Sequence, residues 1–76
     1  MKTGTGRIVD LSKNGIATVM LRTRAGITPL YGEVSMVGDA LFAIFGDDAT
    51  RATIVGQRVR YWRDGEQLMA LGPVTS

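Results

Sequence analysis

Two dipeptides, Asn14-Gly15 and Asp64-Gly65, do most to restrict what this chain can become, because each sits between runs rich in apolar and β-branched residues. Asn-Gly and Asp-Gly are the preferred central pairs of tight hairpin turns, whose type I′ form needs positive φ at both positions. Around Asn14-Gly15 the runs RIVDL and IATVMLR read as a first and a second strand. Around Asp64-Gly65 a long arm, TRATIVGQRVRYWRD, folds back onto EQLMALG. Between them RAGITPLYG reads as a loop with a short strand, whose Pro29 argues against a central position. VGDALFAIFGDD reads as a further strand bounded by Gly38 and Gly46. No window of eleven or more residues shows a clean helical period, although DDATRATI can supply one turn.

Five to seven short strands in 76 residues predict an all-β fold, a small single-domain antiparallel β-barrel. Closure removes the sheet edges that would otherwise aggregate. The barrel is expected over residues 6–72, with tails at 1–5 and 73–76. Gly56, in mid-arm, predicts a bulge or sharp bend. A domain this small buries roughly 60% of the surface that its unfolded chain exposes. Without cysteine there is no disulfide to reinforce it, and without histidine as well there is no ordinary structural zinc site.

The same two absences bear on chemistry. Lacking His and Cys, the chain has neither the usual general base nor the strongest nucleophile, so triad hydrolysis in its common forms is out and a non-catalytic role is expected. Asp47-Asp48 lacks the converging oxygens of a calcium or magnesium site, and Gly4-Thr5-Gly6 lacks the lysine and helix of a phosphate loop. No metal and no cofactor are expected. The longest apolar windows fall far short of the ~20 residues that span a bilayer, so the chain reads as soluble, and its lack of cysteine fits a reducing cytoplasm, the compartment expected.

Two stretches carry candidate sites. In DLSKNG, the Asp10 carboxylate and Ser12 hydroxyl lie two residues apart on one strand face, just before the reversal at Gly15. As a turn they cap backbone amides; as a site they present acceptors to the donor edge of a purine such as guanine. In QRVRYWR, Arg58, Arg60 and Trp62 share a strand face, Arg63 follows at the turn, and Arg22 and Arg24 can join from the loop after the second strand. Interleaved cations and an aromatic ring suit single-stranded nucleic acid; the plainer alternative is a tryptophan anchor among solvated arginines.

Asp10-Leu11-Ser12-Lys13-Asn14-Gly15 resembles the [D/N]-x-S-x-x-G signature of the PilZ domains, small β-barrels that bind cyclic di-GMP, and the likeness runs from about Gly6 to Gly72. The resemblance implies a PilZ-like nucleotide-binding barrel with Asp10 and Ser12 as guanine contacts. It also implies an upstream R-x-x-x-R motif to grip the phosphates. No two of Arg7, Arg22, Arg24, Arg51, Arg58, Arg60 and Arg63 are four apart, so a shortened or degenerate cyclic di-GMP module is expected, with weak or absent binding.

Finally, Leu41, Phe42, Ala43, Ile44 and Phe45 run in succession, which makes both faces of a strand apolar. One face fills a barrel. The other, presenting Phe42 and Ile44, predicts a homodimer interface, or in the plainest reading a purely structural oligomerising adaptor.

Overall fold

The computed structural model describes residues 1–74. Five strands, β1 (Lys2–Lys13), β2 (Ala17–Thr23), β3 (Gly26–Gly32), β4 (Arg58–Asp64) and β5 (Gln67–Pro73), close into a barrel in the order β1-β2-β3-β5-β4. Helix α1 (Val34–Phe45), a single 3-10 turn (Gly46–Asp48) and a short α2 (Arg51–Ile54) connect β3 to β4. This five-stranded Greek-key barrel has the arrangement of the OB-fold. Among the described residues no helix is long and apolar enough to cross a membrane.

The barrel is not wholly antiparallel. Strand directions cannot alternate all the way round a ring of five, so one neighbouring pair must run parallel. That pair is β3–β5, joined only through Tyr31↔Gln67, with the Tyr31 amide donating to the Glu66 carbonyl at 2.9 Å. Because the seam is this short, Pro29 on β3 has no second neighbour, a position where a residue without an N–H is tolerated.

β1 supplies most of the curvature. It pairs with β4 through Lys2–Arg7 and with β2 through Arg7–Lys13, and its register with β2 shifts between Ile8 and Asp10. Residues 2–5, expected in a tail, therefore belong to the barrel. Gly4 among them and the next glycine, Gly6, allow close approach: a Cβ at the buried Gly6 would lie 3.2 Å from the Arg22 carbonyl oxygen. The expected C-terminal tail begins inside β5, which ends at Pro73; its last two residues lie outside the described ones.

Both expected hairpins form, with different turns. Residues 14–16 make a three-residue loop in which only Gly15 has positive φ (77°), so the two-residue type I′ geometry is absent. In the second hairpin Asp64 is still paired with Gln67, and Gly65 alone has positive φ (61°), the pattern of a type II′ turn.

The main correction is α1, which replaces the strand expected over VGDALFAIFGDD. Val34, Val37, Leu41 and Ile44 recur at helical spacing, and this stripe packs on the barrel core. Gly46, with φ 66°, donates its amide to the Phe42 carbonyl and ends the helix. Gly56 is likewise not a mid-strand bulge. At φ 99° it turns the chain from α2 into β4, and its amide donates to the Ile8 carbonyl at 2.7 Å. Inside the barrel Ile8, Val19, Leu21, Leu30 and Val59 are fully buried, joined by Leu68 and by Ile54 from α2.

Candidate nucleic-acid interface

Strand alternation sends Val59 and Tyr61 of β4 inward, the former buried and the latter packed on the core. Arg58, Arg60 and Trp62 therefore project outward. Their neighbours are small: Arg60 lies opposite Thr5 on β1 and Gly72 on β5, and Trp62 lies opposite Thr3 and Ala70. Arg60 is exposed, whereas Trp62 is half-buried.

Strand register adds what the linear sequence does not show. Arg7 on β1 is the direct partner of Arg22 on β2 and also of Arg58 on β4. Three exposed arginines thus stand in one row across three adjacent strands, about 10 Å wide, with Arg60 one step away on the same face. Like charges directly opposite one another destabilise a sheet, and among the described residues no carboxylate pairs with these three. The one ion pair among the described residues is Arg51 with Asp10. Arg7 is partly engaged, its Nη1 donating to the Gly56 carbonyl at 2.6 Å. Arg24 lies in the β2–β3 turn at the side of this face.

Of the residues expected to act together, Arg58, Arg60 and Trp62 do share a face. Arg63 does not: alternation turns it the other way, opposite the buried Leu68. Arg7 was missed, because the β1–β4 pairing that brings it beside Arg58 spans about fifty residues and leaves no local signal.

The DLSKNG stretch is more strand than turn, with Asp10–Lys13 in β1. Asp10 accepts from the Leu11 amide at 2.9 Å and from the Arg51 guanidinium, whose Nε also donates to the Leu11 carbonyl at 3.2 Å. The Arg51 hydrogen bond, helped by that amide, holds the Asp10 carboxyl below its ordinary value. Both bonds go to Oδ1, so that oxygen is committed to the fold, while the Asp10 side chain stays 45% exposed. Ser12 is exposed opposite Thr18, and Gly15 is at the loop tip with open space around it.

The two expected interface residues also separate. Phe42 is 59% exposed, whereas Ile44 is half-buried and packs on the core. The dimer expected from a two-sided apolar strand loses that premise, since α1 turns much of the run inward. No family model, curated protein or solved structure matches the chain.

Proposed function

We propose that the chain is a non-catalytic binding module whose ligand is single-stranded nucleic acid, held on the outer β2–β1–β4 face. The observation that carries this reading is the row Arg22–Arg7–Arg58, three cations in register with no carboxylate among them. Such a row gains most from a ligand with regularly spaced negative charges, and Trp62 beyond Arg60 offers a stacking surface for a base. Barrels of this arrangement bind oligonucleotides through the β2–β3 face and the β1–β2 and β4–β5 loops; the arginine row shares only β2 with that face, so the analogy of fold supports the ligand class and not the position.

Fluorescence anisotropy with a labelled oligothymidylate tests the reading. If four arginines each neutralise a phosphate, the slope of log K against log salt is about −2.8, so affinity falls about fiftyfold between 50 and 200 mM salt. Binding indifferent to salt, or none at low salt, overturns it. Cyclic di-GMP, the ligand implied by the PilZ resemblance, belongs in the same experiment as a competitor. Its phosphodiesters would suit the arginines, but at Asp10 a guanine would have to compete with Arg51, which already holds Oδ1. The homodimer is a separate proposal that now rests on Phe42, and a mass near the single-chain 8.2 kDa in light scattering would remove it.

A further inference from the structure

A second feature lies away from the arginine row, where α1 crosses the end of the β1–β2 hairpin. A groove of about 330 Å³ opens there, at the small end of the ~300–1,000 Å³ range of ligand sites. Its walls are apolar: Leu11, Ala17 and Val19 from the strands, and Val34, Val37 and Leu41 from the helix. The polar lining residues are Ser12, Lys13 and Thr18, with Ser12 and Thr18 directly opposite each other across the β1–β2 pair. Lys13 is the only charged residue of the lining, and it has no ion-pair partner among the described residues.

Gly38 provides an independent observation. It lines the groove from the middle of α1, where a glycine weakens a helix relative to alanine. Neither usual reason for it applies. Its φ is not positive, and a Cβ there would meet nothing within 4 Å. The helix thus gives up stability at one of the four positions, with Val34, Val37 and Leu41, where it lines the groove, as a site for a closely approaching occupant would require.

We propose that this groove binds the acyl chain of an amphipathic carboxylate, with Lys13 meeting the carboxylate and the hydrocarbon lying over Gly38 between Val37 and Val19. An apolar trough with a single cation matches a chain with one anionic head. A helix, about 10 Å across, is too wide for this volume.

The test uses sodium decanoate below its micellar concentration, followed by amide chemical shifts and calorimetry, with 1-decanol and decyltrimethylammonium as head-group controls. Decanoate is expected to bind saturably and to shift Leu11, Val37 and Leu41. Lys13→Gln should weaken decanoate by about five- to tenfold and leave decanol unchanged. Gly38→Leu should abolish binding while keeping or raising the melting temperature; Val34→Phe fills the same groove from its wall and serves if the first variant does not fold. Absence of saturable binding overturns the proposal, as does equal affinity for decanoate and decyltrimethylammonium or undiminished binding by a groove-filled variant. Shifts of the same residues with protein concentration alone, accompanied by a doubled mass in light scattering, would assign the groove to a second copy of the chain and overturn it too.

Discussion

The six-membered ring of the Trp62 indole lies against Gly72: a Cβ built on that glycine would stand 3.1 Å from Cζ3 and 3.2 Å from Cη2 of the ring. Gly72 is the β5 partner of Arg60, so the one residue without a side chain on this part of the face is the one over which the tryptophan sits. Ring position and site composition are therefore linked.

Gly72→Val is expected to push the ring off β5 and expose it. A red shift in tryptophan emission should accompany a loss of oligonucleotide affinity approaching that of Trp62→Ala, about 1–3 kcal/mol for one stacked base. An emission change with undiminished affinity would show that Trp62 is a structural anchor and not a stacking platform.

The arginine row sets stability against binding. Arg22→Glu or Arg58→Glu replaces a repulsive cross-strand pair with Arg7 by an attractive one, worth roughly 0.2–1 kcal/mol, so the free protein should become slightly more stable to urea. The same changes should weaken nucleic-acid binding and make its salt dependence shallower by about 0.7 for each phosphate that is no longer neutralised. Loss of both stability and affinity would mean that these arginines serve packing instead.

Asp10 fixes a pH dependence whose sign follows from its lowered pKa. The folded protein holds this carboxyl ionised below the ordinary value of 3.8, mainly through the Arg51 hydrogen bond, whereas the unfolded chain takes up its proton first. The pair's contribution is complete above that value and is lost as pH falls through the folded-state pKa. Thermal melts of wild type and Asp10→Asn should therefore differ at neutral pH and converge in acid. With side chains 45% and 68% exposed, the pair is screened, so the difference should also shrink in 1 M salt. A difference that persists in both conditions would point to a backbone effect at the neighbouring register shift.

What the sequence revealed depended on the range of the interaction. Hairpins are local, so Gly15 and Gly65 marked two of the three reversals; the third, between Thr23 and Gly26, has no such dipeptide. Alternation along β4 put Arg58, Arg60 and Trp62 on one face. The Arg7 pairings are long-range and had no such signature. α1 was hidden for a different reason: Gly38 and Gly46 enclose LFAI, which looks like a buried strand, while the stripe that makes it helical begins outside that window at Val34. Gly4 misled in the same way, since a weak strand former lies in a strand.

The helix can be checked through the pair that strand alternation would have put on one face. Two residues apart in a strand, Phe42 and Ile44 would share an environment and respond alike to substitution; in α1 they are about 200° apart around the axis. Ile44 is half-buried against the core cluster, whereas Phe42 is 59% exposed. Ile44→Ala is expected to cost roughly 1–3 kcal/mol, below the range for a fully buried isoleucine because the site is only partly covered. Phe42→Ala should stay within about 0.5 kcal/mol, as surface substitutions usually do. Urea denaturation of the two variants at equal protein concentration measures both. Equal losses that disappear on dilution would instead mean that both side chains are buried against a second copy, and would return the dimer expected from the apolar run to first place.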